Sequence, residues 1–145
     1  MMIEMNLVTV GMAPEGDGNI LVLREVDGER MLVLGVGFAE ATSIAMAAED
    51  VTPPRPMTHD LLLDVIRRLG ASVIRMVVHD MRDETFIGQL EVETKQGVME
   101  IDARPSDCIA LAVRQDFPIF VSDSVMETAA VTQDMIGDDE EDLTE

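Results

Sequence analysis

Two short stretches of the chain carry more polar chemistry than their surroundings require: Arg55-Pro56-Met57-Thr58-His59-Asp60 and Ile101-Asp102-Ala103-Arg104-Pro105-Ser106-Asp107. Each joins an extended segment to the start of a helix, where unpaired backbone N–H groups and the positive end of the helix dipole favour anions. A phosphate or a carboxylate is the kind of ligand such a place accepts. His59 adds an imidazole, and a side chain that ordinarily titrates near ~6.5 is the best general base available here. Asp60 cannot be its partner, because helix neighbours one residue apart point in different directions. Asp60 complements the dipole, and any partner of His59 must come from elsewhere in the chain.

The second stretch allows two chemistries. Arg104 can fork onto a carboxylate or a phosphate, and Ser106 or Asp107 can cap the helix that follows. If Arg104 or Arg55 neutralises Asp102 or Asp107, the group is a structural clamp between strand end and helix start. If instead Glu40, Asp102 and Asp107 converge, their oxygens suit Mg²⁺ or Mn²⁺, the hard cations of phosphoryl chemistry. Other signatures are missing: the sequence has no Gly-rich phosphate loop, HExxH motif, GxSxG elbow, or Cys and His cluster for zinc. Cys108 lies in an apolar helical run and reads as a small buried hydrophobe. With no Trp or Tyr and four Phe, platforms for base stacking are few, and the 12 Met read as core filler.

The elements that must hold these residues follow from periodicity and punctuation. Ile3 to Val10 is predicted as a strand and Ala13 to Asn19 as a loop. Ile20 to Val26 and Met31 to Val36 flank Asp27-Gly28, the dipeptide of a two-residue hairpin turn at positive φ. Phe38 to Glu49 reads as a helix whose Ala41, Ile44, Ala45 and Ala48 pack closely. Pro53, Pro54 and Pro56 impose an extended linker. Thr58 then caps a helix with Leu62, Val65, Ile66 and Leu69 as its core face, ending at Gly70. Val73 to Asp80, Phe86 to Glu93 and Val98 to Ala103 are strands, with a turn at Gln96-Gly97. A helix over Pro105 to Gln115, a strand over Phe117 to Val121 and a short helix opened by Ser124 and Glu127 complete the order. Shifting the first half by 65 residues lays Ile44-Ala45-Met46-Ala47 on Ile109-Ala110-Leu111-Ala112 and Val36 on Ile101, the signature of a repeated hairpin-plus-helix unit.

The fold class expected is therefore α+β: repeated β-hairpin plus helix units building a mixed or antiparallel sheet packed with helices. One domain covers residues 1–131, and 132–145 form an acidic, disordered tail. Seven of the 29 acids and none of the ten bases lie in that tail, so the body retains a charge near −12 out of −19. Such a body repels phosphate backbones at long range, and nucleic-acid binding, if it occurs, should be weak and salt-dependent. A lone cysteine and no leader-like opening point to the cytoplasm, and no apolar run is long enough for a membrane span.

The strings Val36-Gly37-Phe38-Ala39-Glu40-Ala41 with Ile44-Ala45, Pro54-Arg55-Pro56-Met57-Thr58-His59-Asp60-Leu61 and Ile101-Asp102-Ala103-Arg104-Pro105-Ser106-Asp107-Cys108-Ile109-Ala110-Leu111-Ala112 resemble the bifunctional nuclease domain family, in order from about Met1 to Val131. Gly35 stands where the family often has a larger side chain, and Val33 where it often has proline. The resemblance implies a bacterial α+β protein that forms a homo-oligomer, a dimer being the simplest, and that cleaves both DNA and RNA. On it, site status passes to Glu40, Arg55, His59, Asp60, Asp102, Arg104, Ser106 and Asp107. The chemistry it suggests is metal-assisted phosphodiester hydrolysis: carboxylates hold the metal, Arg55, Arg104 and Ser106 take the phosphate, and His59 is the base. The competing expectation is a non-enzymatic oligomeric module that binds an anionic small molecule or a protein partner. Carboxylates free to share a cation favour the first; carboxylates each closed by an arginine favour the second.

Overall fold

The structure, a computed structural model, describes residues 1–13 and 18–132. The expected tail beyond Thr132 and the centre of the loop after Ala13 lie outside the described residues.

Among the described residues seven strands and four helices follow in the order β1 (Met2–Met12), β2 (Asn19–Glu25), β3 (Met31–Val36), α1 (Phe38–Ala48), α2 (Thr58–Arg68), β4 (Ser72–Arg82), β5 (Thr85–Thr94), β6 (Gly97–Ala103), α3 (Pro105–Gln115), β7 (Ile119–Ser122) and α4 (Asp123–Ala129). One sheet takes all the strands in the order β3-β2-β1-β7-β4-β5-β6. Only β4 and β7 run parallel; the remaining pairs are antiparallel. β7 thus sits between two three-stranded meanders, each of which leads into a helix, α1 after β3 and α3 after β6. This is the repeat seen in the sequence, with a third strand added to each hairpin, and it makes the fold α+β.

Alternation explains the core. Leu21, Leu23, Leu32 and Leu34 from the first meander meet Met76, Val78, Leu90 and Val92 from the second, beneath Ile44 of α1 and Ile109 and Leu111 of α3. Ile44 is fully buried, and truncation of such a side chain to alanine commonly costs about 2–5 kcal/mol. α3 runs close over the sheet because Gly88 of β5 leaves room for its start: a Cβ there would lie 2.8 Å from the Ala103 carbonyl oxygen and 3.3 Å from Pro105.

Three local expectations are corrected. The β2–β3 turn is not a two-residue turn at positive φ. Glu25 and Arg30 close a longer loop, the Glu25 N–H donating to the Arg30 carbonyl at 3.0 Å, and Gly28 does not adopt positive φ. Gly28 leaves room for the Glu25 carboxylate, which would lie 2.7 Å from a Cβ at that position and which accepts bonds from the Arg30 backbone and guanidinium. Leu62, Val65 and Leu69 of α2 are exposed; the helix packs instead through His59, Leu63 and Ile66. Finally, α4 is capped by Ser122, whose hydroxyl accepts the Val125 N–H at 3.3 Å. Ser124 lies two residues too late for that role, inside the helix. Among the described residues no helix is long and apolar enough to cross a membrane.

Candidate functional site

The first turns of α1, α2 and α3 meet at one cleft of about 220 Å³, lined by Ala39, Glu40, Ser43, Met57, Thr58, His59, Arg104 and Asp107. The sequence dictates each approach. Gly37 precedes α1 without a side-chain cap, and its missing Cβ leaves space for the Glu40 carboxylate, which would otherwise stand 3.1 Å away. The proline linker brings the chain extended to Met57, which is the N-cap of α2 in place of the expected Thr58, the first helical residue; the Met57 N–H donates to Asp60 Oδ2 at 2.9 Å. Pro105 starts α3 directly after Arg104, and neither Ser106 nor Asp107 caps it. Each of the three helix N-termini carries a carboxylate in its first turn, Glu40, Asp60 and Asp107, which complements the positive end of its own helix.

A continuous network joins the three helices. Arg114, near the end of α3, donates through Nη2 to Ser43 Oγ at 2.9 Å and through Nε to Asp60 Oδ1 at 2.8 Å. Ser43 Oγ lies 2.8 Å from His59 Nδ1, and His59 Nε2 lies 2.9 Å from Asp107 Oδ1. Arg104 completes the chain, its Nε donating to Asp107 Oδ2 at 2.9 Å and its Nη1 lying 3.0 Å from Glu40 Oε1. Arginine only donates, so the Ser43 oxygen accepts from Arg114 and its hydroxyl hydrogen can go to His59 Nδ1. In that tautomer His59 Nε2 carries a proton and donates it to Asp107.

The electrostatics follow the same bonds. Burial pushes the Asp107 carboxyl upward, but hydrogen bonds from His59 and Arg104 outweigh it and hold the group below the usual carboxylate range. Asp60 is held below that range by Arg114 and, next, by the Met57 N–H. The Arg104 guanidinium is raised by Asp107. Cys108 is fully buried, and desolvation pushes its thiol up to about 12, which makes it inert.

Of the residues singled out by sequence, Glu40, His59, Arg104 and Asp107 come together, and Asp60 joins them through Arg114. Ser106 is buried beside the group. Arg55 and Asp102 stand apart: both are exposed, and neither forms a side-chain bond to a described residue. Asp102 lies on β6, an edge strand, where acidic side chains discourage unwanted strand pairing. Sequence reasoning missed Ser43 and Arg114. Their only signal is spacing: Ser43 follows Glu40 by three and Arg114 follows Asp107 by seven, which sets each pair on one helix face.

Among the described residues no three His, Cys, Asp or Glu side chains are placed to share a metal ion. The Glu40 and Asp107 carboxylates are bridged by a guanidinium, and Asp102 is elsewhere, so the expected Mg²⁺ or Mn²⁺ ligand set does not fit this arrangement.

The fold and site together define a two-meander α+β protein with an arginine-bridged cleft at converging helix starts. The chain belongs to the bifunctional nuclease domain family, whose model matches residues 21–134. It is 35% identical over 128 residues, 88% of this chain and 76% of theirs, to uncharacterized proteins of two Mycobacterium tuberculosis strains, CDC 1551 and H37Rv. It is also 26% identical over 107 residues to Bifunctional nuclease 1 of Oryza sativa, covering 70% of this chain and 32% of the plant protein.

Proposed function

We propose that the chain is a phosphodiesterase of the nuclease type, acting on single-stranded or flexible nucleic acid at the cleft where α1, α2 and α3 begin. The observation that carries this reading is Arg104. Its side chain is 66% exposed, yet it is held between two carboxylates above three helix N-termini. Glu40 and Asp107 occupy the positions that two phosphate oxygens would take, so an incoming phosphodiester exchanges with them on the guanidinium. Asp107 then keeps the His59 N–H on one oxygen and frees the other to orient the attacking water or ribose hydroxyl. In this role His59 positions Asp107, with its own ring fixed by Ser43. The ligand set gives no basis for a step through a metal, and the assay reads that point separately.

The test is cleavage of end-labelled single-stranded RNA and DNA by the purified chain, with Mg²⁺, with Mn²⁺ and with EDTA. Cleavage that falls steeply with added salt is expected, as for any binding driven by phosphate contacts. No cleavage of either substrate under any of the three conditions would remove the proposal. It would leave the second reading, an oligomeric module for an anionic ligand, which the expected carboxylate criterion favours, because Arg104 closes Glu40 and Asp107 and Arg114 closes Asp60.

A homodimer in the cytoplasm is part of the proposal. Leu61, Val65 and Leu69 fall at four-residue steps on α2 with Leu62 beside them, an exposed apolar stripe suited to a symmetric helix pair. Light scattering should give the mass of two chains, and Val65→Glu should halve it.

A further inference from the structure

Arg104 and Glu40 are walls of two clefts at once. On one side is the space of about 220 Å³ that holds His59 and Asp107. On the other is a larger one of about 390 Å³, lined by Gly35, Glu84, Thr85, Phe86 and Ser106 among others. The larger cleft is of a size that holds small organic ligands, about 300–1,000 Å³. Three of its features point to an occupant. Phe86, half-buried, supplies an aromatic surface in a chain without Trp or Tyr. Ser106 is 8% exposed, and its hydroxyl has no hydrogen-bond partner among the described residues. Gly35 keeps the β3 wall flat, since a Cβ there would meet no atom within 4 Å.

Resting on the phosphodiester reading above, we propose that this second cleft is a nucleoside subsite. With the phosphate on Arg104, one nucleoside of the substrate extends past Arg104 and lays its base against Phe86. The Ser106 hydroxyl takes a polar atom of the sugar or base. The nuclease therefore recognises a base as well as a backbone, at a place separate from His59 and Asp107. An abasic strand loses this contact while it keeps the phosphate.

The experiment titrates the ¹⁵N-labelled full chain with a dinucleoside monophosphate and with its abasic counterpart. The dinucleotide should bind roughly 5- to 150-fold more tightly, the factor that about 1–3 kcal/mol of stacking per base represents at about 1.4 kcal/mol per tenfold. Amides of Gly35, Phe86 and Ser106 should shift only when bases are present. Gly35→Leu fills the cleft, and Phe86→Leu removes the ring while keeping an apolar side chain, so a misfolded Gly35→Leu would not leave the question open. Each should bring the affinity ratio close to one without changing abasic binding, in protein whose melting curve is intact. Equal wild-type affinities, a ratio that survives Phe86→Leu, or no binding of either probe would overturn the subsite. Base-dependent binding without hydrolysis would keep the subsite and remove the phosphodiesterase reading; hydrolysis without base dependence would do the reverse.

Discussion

At the scale of residues, the two arginines of the network have different weights, and burial decides which matters for stability. The Arg114 side chain is 10% exposed and ties Asp60, Ser43 and the Ala110 carbonyl together, whereas Arg104 is 66% exposed. Arg114→Ala should cost about 3 kcal/mol, the low end for breaking a buried ion pair, because Asp60 remains partly solvated. Arg104→Ala should cost about 1 kcal/mol or less, as for other exposed pairs. Urea denaturation of both variants checks the order, and an Arg104 cost above that of Arg114 would contradict it. Asp60 and Asp107 set the acid limb. Both carboxyls are depressed in the folded chain, so their stabilisation is full above the unfolded value of about 3.9 and is lost as pH falls through the lower folded values. Denaturation followed from pH 7 downward should be flat until about pH 4 and then decline, and Asp60→Asn should make that decline shallower. The sequence made His59 and Arg104 legible because their types are conspicuous beside a helix start. Ser43 and Arg114 were not, since their partners lie 16 and 54 residues away. Such partnerships exist only once three helices are packed.

At the scale of elements, α3 was readable to the residue because proline at its first position and the long apolar run after it agree. α2 was misread on one face. Its apolar residues run round more of the helix than the sheet can cover, and periodicity alone does not say which part faces inward. The β2–β3 connection shows the same limit in miniature: Asp27-Gly28 does mark a turn, but the Glu25–Arg30 pair sets the loop length, and the glycine makes room for a carboxylate. Gly88 is the complementary case, a strand glycine with no turn to explain it. Gly88→Ala would drive a Cβ into the Ala103 carbonyl at the entrance to α3, and overpacking of this kind costs about 1–3 kcal/mol. A lower melting temperature is expected. Unchanged melting would mean that α3 can move off β5, and the placement of Arg104 and Asp107 would then need revision.

For the whole molecule, the two meanders about β7 explain why one cleft can collect helix starts from both halves of the chain. β3 and β6 lead into α1 and α3, which deliver Glu40 and Asp107 from equivalent positions, the third residue of each helix, with Arg104 at the N-cap of α3, and the proline linker brings in α2. That placement sets one exposed guanidinium among three helix starts in a body whose charge is near −12, and the proposed phosphodiester contact rests on that guanidinium. The proposed cleavage requires Arg104 to exchange its carboxylates for phosphate. The most direct measurement is the single-turnover rate of single-stranded RNA cleavage by the wild type and by Arg104→Ala, with melting curves recorded alongside. A loss of about 10²–10³-fold is expected, the scale of removing one aligned electrostatic donor, with little change in melting temperature. An Arg104→Ala protein that cleaves as fast as the wild type would contradict it.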